Sequence, residues 1–179
     1  MESTSTDNAI EFHECAGTRI YALKKYLSPA ECDDFISRIR AIDKPQGVFH
    51  APVIAQQLWQ CIGPKITAEK FYDQSRGKWF QVTGIANTIT ITNSNEPTPR
   101  HKDANVGVAD LFKLAFYLNK IPKGGGTIFY SGDAPVLINN DPGSGILFDL
   151  ALSHQGEHLA KTGPNKLMIG ARPHVQYEP

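Results

Sequence analysis

The chain has 179 residues, a length that suits one domain with a substantial core. Its eighteen basic residues balance eighteen acidic ones, so no overall charge favours nucleic acid or a membrane surface, and we expect neither as a partner. The sequence contains no apolar run of the roughly 20 residues that span a bilayer. The polar start, MESTSTDNAIEF, lacks the regions of a secretory signal, and residues 1–10 are predicted to form a disordered tail before one domain over residues 11–179.

The three cysteines indicate a reducing compartment. Cys15, Cys32 and Cys61 are odd in number and lack CxxC spacing, which argues against a disulfide framework and against a cysteine zinc site. We expect them to be small buried side chains in a cytoplasmic protein.

Two helices are predicted in a supporting region over about residues 28–75. In YLSPAECDDFISRIRAI, Ser28 suits the N-cap and Pro29 suits the first helical position. Apolar residues then recur at the spacing of one helical face, at Phe35, Ile36, Ile39 and Ile42. The second segment, VIAQQLWQCIGPKI, has a similar apolar side, and Pro64 is predicted to interrupt or end its helix.

From about residue 79 the pattern is that of strands. NTITITN alternates strictly, which places Ile89 and Ile91 on one face and the threonines on the other. Short apolar runs follow between Pro, Gly and Asn turns: LFKLAFYLN, GGGTIFYSG, APVLINN, SGILFDLAL and NKLMIGARPHVQY. Helices first and strands afterwards argue against a doubly wound parallel sheet. The predicted fold class is mainly β with N-terminal helices, an antiparallel sandwich or barrel, with Trp59 and Trp79 in its core.

A candidate metal site begins in TPRHKDANVG. His101 and Asp103 lie two residues apart, so the alternation of an extended segment turns both side chains to one side. His154 follows an apolar strand that can return the chain to the same end of a barrel. Two imidazoles and one carboxylate form a facial triad on ferrous iron, which leaves positions for dioxygen and a chelating co-substrate. His158 and His174 are alternative third ligands, although both are expected nearer the surface.

Lys166 is a candidate anion-binding residue. It opens the last apolar strand and faces inward if Met168 and Gly170 share its face. A lysine inside a barrel is costly unless an anion meets it, and a carboxylate co-substrate would supply one. The hydroxyl groups of Thr90, Thr92 and Tyr117 would suit a dicarboxylate held beside the metal.

Several segments in this order resemble a known superfamily. RHKDAN matches an HxD turn, LAFYLNKIPKGGGTIFYSG a YLN…GGxTxF hairpin, and GILFDLALSHQGEHLAKTGPNKLMI a distal His-x-Gly-Glu with a basic residue. YLSPAECDDFISRIR is similar to the helical segment before the barrel. Together they resemble the Fe(II)/2-oxoglutarate-dependent dioxygenases, nearest to the prolyl 4-hydroxylase-like branch. The resemblance implies a double-stranded β-helix, a cupin-like jelly-roll barrel, as the core over about residues 79–179.

The resemblance also implies roles for individual residues. The implied iron ligands are His101, Asp103 and His154. Lys166 would pair with the distal carboxylate of 2-oxoglutarate, with Tyr117 hydrogen-bonding nearby. Thr127 falls where the family lines the co-substrate pocket. Thr92 stands where a tyrosine often precedes the HxD turn, a departure that leaves the contacts from this strand open.

The implied function is oxidation of an organic substrate with iron, dioxygen and 2-oxoglutarate, releasing succinate and carbon dioxide, with ascorbate as a further candidate reductant. Because Asp103 keeps the carboxylate that halogenases of the superfamily lack, we expect hydroxylation of an unactivated C–H bond. A non-catalytic cupin-like binding domain and a same-scaffold oxygenase that desaturates, cyclises or epimerises are alternatives. A small metabolite and a peptide side chain are equally suitable substrates, and both monomer and homodimer remain open.

Two arginines are candidate substrate contacts. Arg100 flanks the predicted ligands and either attracts an anionic substrate or is solvated. Arg172 lies two positions beyond Gly170, so alternation places it on the side of Lys166 and closer to the mouth of the barrel.

Overall fold

The computed structural model describes residues 9–43, 45–103, 111–130, 134–157 and 163–179. The helices are α1 (Pro29–Arg40) and α2 (Pro52–Ile66). The strands are β1 (Ala9–Cys15), β2 (Thr18–Lys24), β3 (Gly47–His50), β4 (Phe71–Asp73), β5 (Lys78–Ser94), β6 (Phe112–Tyr117), β7 (Thr127–Phe129), β8 (Val136–Ile138), β9 (Gly145–Asp149), β10 (His154–Gly156) and β11 (Lys166–Tyr177).

The strands form two antiparallel sheets. The larger sheet has the order β1-β2-β9-β6-β11-β5-β3, with β4 also paired to β5, and the smaller sheet has the order β10-β7-β8. Side chains of β6, β9 and β11 pack against side chains of β7 and β8 in one apolar cluster between the sheets. Two antiparallel sheets around a shared core make a jelly-roll barrel, so the predicted mainly β fold is confirmed.

The two helices cover the outer face of the larger sheet. Phe35 of α1 and Leu58 of α2 are fully buried in a second apolar cluster together with Ile89 and Ile91 of β5. The strict alternation of NTITITN therefore places its isoleucines under the helices and turns Thr90 and Thr92 toward the inside of the barrel. Neither helix has the length and apolar character needed to cross a membrane, among the residues described.

The start of α1 agrees with the sequence prediction, whereas the end of α2 differs from it. In α1, Ser28 and Glu31 form the reciprocal hydrogen bonds of a capping box. In α2, the prediction that Pro64 interrupts or ends the helix is wrong by two residues, because the helix continues to Ile66. Pro64 lies in the last turn, where its missing N–H removes only one hydrogen bond before the cap at Thr67.

The region before residue 79 contains strands that the sequence did not predict. β1 begins at Ala9 and pairs with β2 along its whole length, so the disordered-tail prediction is wrong for residues 9 and 10, while residues 1–8 lie outside the described residues. Trp79 was predicted in the core, but 43% of it is exposed, and its ring packs against Tyr72 where β4 pairs with β5. Trp59 is half-buried and packs against the core, as do Ile54 and Cys61 of the same helix.

Candidate functional site

A short backbone bridge holds two of the predicted metal ligands side by side. The His101 N–H donates to the His154 carbonyl at 2.9 Å, and the His154 N–H donates to the His101 carbonyl at 2.8 Å. The two residues therefore form a hydrogen-bonded antiparallel pair at the end of the smaller sheet. Their ring centroids lie 4.4 Å apart.

Each of the two imidazole rings is held in place by a hydrogen bond at its Nδ1 atom. His101 Nδ1 lies 2.8 Å from the Pro99 carbonyl, and His154 Nδ1 lies 3.0 Å from the Leu152 carbonyl. A carbonyl can only accept, so Nδ1 carries a proton in each ring, and the neutral form of such a ring has its free lone pair on Nε2. Burial also lowers the pKa of His154, which keeps its imidazole neutral. Neutral Nε2 atoms fixed in this way are suitable metal ligands.

The carboxylate of Asp103 completes the group. Its Oδ1 lies 3.9 Å from His101 Nε2, and its Oδ2 lies 3.7 Å from His154 Nε2. One ligand atom from each of the three residues fits within 4.8 Å of the others, so the set could hold one metal ion. Burial acts to raise the pKa of Asp103, but the charge and hydrogen bonds of Lys113, together with the smaller effects of His154 and Arg172, outweigh burial, and the net effect lowers this pKa. The chemistry and spacing of the donors fit a facial triad.

The three residues open into a cavity of about 260 Å³ inside the barrel. Its walls come from both sheets and from the loop before β3, and they are mostly polar or small on the side of β5 and β11. The remaining lining residues are Gln46, Gly47, Thr90, Ile91, Thr92, Thr98, Lys113, Ala115, Thr127, Ile146, Phe148, Gly156, Lys166, Met168 and Gly170.

Lys166 lies at the inner end of this cavity. It is only 6% exposed, and its Nζ donates to the Gly126 carbonyl at 3.0 Å and lies 5.2 Å from the centre of the Tyr117 ring. Burial lowers the pKa of Lys166 to about 8, although the nearby charge of Glu157 opposes this shift. The ammonium is thus a cation in a desolvated site, which an anion entering the cavity would stabilise.

Tyr117 and Thr127 lie near Lys166. The Tyr117 hydroxyl is 2.6 Å from Thr127 Oγ1, and both residues are buried. Burial raises the pKa of Tyr117, so the phenol stays protonated and can donate. Thr92 also lines the cavity, directly opposite Met168 in the pairing of β5 with β11.

The other predicted site residues lie farther from the three predicted metal ligands. Arg100 is exposed, donates to Ser153 Oγ at 2.8 Å and stacks on the Tyr130 ring, and it does not line the cavity, so its substrate role stays a prediction. Arg172 is half-buried, and its charge helps to lower the pKa of Asp103 after the larger effects of burial and Lys113. The alternative ligand His174 is exposed on β11. His158 lies outside the described residues.

Sequence reasoning missed Lys113. Its Nζ lies 3.2 Å from Asp103 Oδ1 and 3.0 Å from Asp103 Oδ2. The alternation in LFKLAFYLN contains the signal that would have found it, because Lys113, Ala115 and Tyr117 must share one face of β6. Since Tyr117 was placed inside the barrel, Lys113 belongs inside as well.

Comparison with known proteins identifies the fold. No family model matches the sequence, and no curated protein matches it. A prolyl hydroxylase from Trichoplax adhaerens, solved with a hypoxia inducible factor peptide fragment, has a TM-score of 0.62 at 12% identity over 89% of this chain and 84% of the other. A viral collagen prolyl hydroxylase from Paramecium Bursaria Chlorella virus-1 has a TM-score of 0.58 at 17% identity, with 98% and 99% covered.

A third structure with this fold performs a different reaction. The non-heme alpha ketoglutarate dependent epimerase SnoN from nogalamycin biosynthesis has a TM-score of 0.57 at 12% identity over 91% of this chain and 81% of the other. The chain therefore has the fold of the 2-oxoglutarate- and iron-dependent oxygenases.

Proposed function

We propose that this chain is an Fe(II)- and 2-oxoglutarate-dependent oxygenase. The observation that carries the proposal is one cavity with two kinds of anchor. His101, Asp103 and His154 offer a facial set of metal ligands at one place in it. Lys166 offers a buried ammonium at another. A metal and a dicarboxylic co-substrate that chelates it need these two features together.

The three ligand residues would hold ferrous iron, which supplies the activation of dioxygen in such sites. His101 and His154 each contribute Nε2, because their Nδ1 atoms are already used in hydrogen bonds to carbonyl groups. Asp103 contributes a carboxylate oxygen and neutralises part of the charge of the metal. A metal held by these three residues would keep further positions for the co-substrate and dioxygen.

The inner end of the cavity would hold the distal carboxylate of 2-oxoglutarate. Lys166 supplies the countercharge, and the Tyr117 hydroxyl supplies a hydrogen bond from a group that stays protonated. Thr127 orients the Tyr117 hydroxyl through their 2.6 Å hydrogen bond. Thr92, on the wall formed by β5, is placed to contact the chain of the co-substrate.

Within this class we propose that the reaction is hydroxylation of an unactivated C–H bond. Asp103 occupies the ligand position that a halide would need, which favours oxygen transfer. Epimerisation is a second candidate, because SnoN, an epimerase, has the same fold. The substrate is a small metabolite or a peptide side chain, and the Trichoplax enzyme with its bound peptide supports the second choice.

An anaerobic titration tests the class. Protein mixed with Fe(II) and 2-oxoglutarate should develop the weak visible charge-transfer band of chelated ferrous iron. His101→Ala and His154→Ala should abolish the band, whereas His174→Ala, a matched change at an exposed histidine, should retain it. Absence of the band from the unaltered protein, together with unchanged iron binding in both ligand variants, would contradict the proposal.

Turnover separates the enzyme from a cupin-like binding domain. An oxygenase of this class converts some 2-oxoglutarate to succinate in air even without its substrate, whereas a binding domain does not. A substrate screen by succinate formation, across amino acids, peptides and small metabolites, followed by mass analysis of the product, would then separate hydroxylation from epimerisation.

A further inference from the structure

Glu157 is a carboxylate beside the proposed co-substrate site that neither the metal ligands nor the cavity wall uses. It directly follows β10, is half-buried and does not line the cavity, whereas Lys166 does. Its charge acts on two groups at the inner end of the cavity, the ammonium of Lys166 and the phenol of Tyr117. A negative charge is thus placed next to a site that we propose attracts an anion.

Gly126 joins Glu157 to Lys166. The Gly126 N–H donates to Glu157 Oε2 at 3.2 Å, and the Gly126 carbonyl accepts from the Glu157 N–H at 3.0 Å. The same carbonyl accepts from Lys166 Nζ at 3.0 Å. The two backbone polar groups of one glycine therefore hold the carboxylate and the ammonium, and fix the two side chains relative to each other.

This arrangement requires glycine at position 126. An added Cβ would lie 2.5 Å from the Ile138 carbonyl, 2.9 Å from Leu137 Cδ1 and 3.2 Å from Glu157 Oε2. The first two contacts come from β8, which pairs with β7 directly after Gly126. The carboxylate of Glu157 therefore rests on a backbone segment that the smaller sheet holds in place.

The ammonium of Lys166 needs a countercharge before the co-substrate arrives. Its side chain reaches from β11 of the larger sheet to Gly126 beside the smaller one, and it is 6% exposed. The carbonyl that accepts from it is neutral and does not balance its charge. Two neighbouring charges affect the pKa of Lys166: the carboxylate of Glu157 favours the ammonium form, and the ammonium of Lys113 opposes it. Of the two, only Glu157 stabilises the cation in the empty cavity.

We propose that Glu157 is a positioning residue for 2-oxoglutarate. This inference rests on the proposed function and adds a residue to its co-substrate site. Glu157 acts through Lys166 and Gly126 without touching the co-substrate. Its charge keeps Lys166 in the ammonium form, and its hydrogen bonds fix the residue on which that ammonium rests. The distal carboxylate of 2-oxoglutarate then meets a cation that is already in place.

The charge of Glu157 has two opposite effects on co-substrate binding. It repels the distal carboxylate, which weakens binding, and it holds the proton on Lys166, which extends binding to higher pH. Glu157 and Lys166 share Gly126, whereas Glu157 does not line the cavity that the co-substrate enters. The effect on Lys166 is therefore the larger one. Removal of the charge should narrow the pH range of binding from its alkaline side.

Glu157→Gln tests this role, because it removes the charge and keeps an oxygen that accepts from the Gly126 N–H. Lysine side chains labelled with carbon-13 are titrated by NMR in the metal-free protein, and the Lys166 signal is the one that Lys166→Arg lacks. Its midpoint should lie near 8 in the unaltered protein. In Glu157→Gln it should fall by about half a pH unit or more.

The second measurement is the dissociation constant of 2-oxoglutarate in the anaerobic complex with Fe(II), from the visible band over a series of pH values. In Glu157→Gln the rise of this constant should begin at a lower pH, by about half a unit or more, while binding below the rise is equal or tighter. Glu157→Ala is a second uncharged variant and should show the same early rise.

Two controls separate charge from shape. Glu157→Asp keeps the charge on a shorter side chain and should keep most of the unaltered midpoint. Glu178→Gln removes another half-buried carboxylate, which pairs with Lys70 outside the cavity, and should change neither measurement.

An unchanged midpoint in Glu157→Gln, or equal weakening of 2-oxoglutarate binding at every pH, would overturn the assignment, since either result is that of a carboxylate with a structural role alone. The visible band separates the two proposals. If the band forms in the unaltered protein and the midpoint does not move in Glu157→Gln, only the assignment of Glu157 fails. If no band forms, the proposed function fails and the role of Glu157 in co-substrate binding fails with it.

Discussion

The hydroxyl of Tyr117 and Oγ1 of Thr127 lie 2.6 Å apart and join the two sheets of the barrel. Tyr117 ends β6 of the larger sheet, and Thr127 begins β7 of the smaller one. Lys166 lies against the same ring. The contact therefore fixes the spacing of the sheets at the place where we propose that the co-substrate binds.

Removing this hydroxyl should cost both stability and co-substrate affinity. Tyr117→Phe is expected to lower the free energy of unfolding by about 1 kcal/mol, because Thr127 loses a buried partner. It should also weaken 2-oxoglutarate binding by about fivefold, since one hydrogen bond to the distal carboxylate is lost. Urea denaturation measures the first effect, and titration of the visible band measures the second.

A double-mutant cycle with Thr127→Val isolates the pair. If the effects of the two substitutions on stability are fully additive, the hydrogen bond does not couple the sheets. Tyr130→Phe serves as a control at a half-buried tyrosine outside the cavity, and it should leave 2-oxoglutarate binding unchanged.

Lys166 should make 2-oxoglutarate binding depend on pH. Burial lowers the pKa of its ammonium to about 8, and only the protonated form attracts a carboxylate. We expect the dissociation constant of 2-oxoglutarate to be flat below this pKa and to rise by up to about tenfold per pH unit above it. Lys166→Arg, whose charge persists, should remove this rise. A pH-independent dissociation constant in the unaltered protein between pH values on both sides of the pKa would contradict the prediction.

The same shift has a consequence for the stability of the ligand-free protein. The folded pKa lies below the unfolded one, so between them the unfolded chain binds more protons, and this group makes stability increase as pH rises. The gain begins near the folded value of about 8 and ends near the ordinary lysine value of 10.5. Lys166→Met should lack this gain in urea denaturation at a series of pH values.

The sequence predicted those parts of the site that local alternation determines. NTITITN separates Ile89, which enters the core and does not line the cavity, from Thr90 and Thr92, which line it. The spacing in RHKD likewise brings His101 close to its partner carboxylate. Alternation in LFKLAFYLN also predicts that Lys113 faces the cavity, which our sequence interpretation missed.

Other parts of the fold depend on pairing between distant segments. β3 lies between the two helices in sequence, but it pairs with β5, and nothing in GVFH alone indicates a strand. β1 leaves Phe12 53% exposed, so its residues lack the buried alternation that marks a strand. The exposed Trp79 shows the same limit, because it lies where β4 pairs with β5 and its only close aromatic neighbour within the described residues is Tyr72.

Gly143 should be intolerant of a side chain. Its φ of +78° is a left-handed conformation, and an added Cβ would overlap the Leu27 carbonyl. Its own backbone accepts from the Leu27 N–H at 3.0 Å and donates to the Tyr117 carbonyl at 2.8 Å, so neither neighbour can move away freely. We expect Gly143→Ala to lower the free energy of unfolding by about 3 kcal/mol in urea denaturation.

Gly77→Ala is the matched control for backbone strain. Gly77 has a similar φ of +63°, but an added Cβ would have only the Tyr72 hydroxyl at 3.8 Å. Its substitution should cost about 1 kcal/mol, the strain of the left-handed conformation alone. Equal losses in the two variants would show that the close approach to Leu27 contributes nothing.

The pair between Lys113 and Asp103 should weaken metal binding. The ammonium contacts both oxygens of the carboxylate, so a metal ion must displace it from at least one of them and then bear its repulsion. Lys113→Met, which keeps the length of the side chain and removes the charge, is expected to bind Mn(II) about tenfold more tightly than the unaltered protein.

Lys120→Met removes a surface charge and should have no such effect. Mn(II) titration followed by electron paramagnetic resonance, without co-substrate, measures both. An unchanged or weaker Mn(II) affinity in Lys113→Met would mean that the ammonium helps to shape the site for the metal, and would reverse the sign of its role.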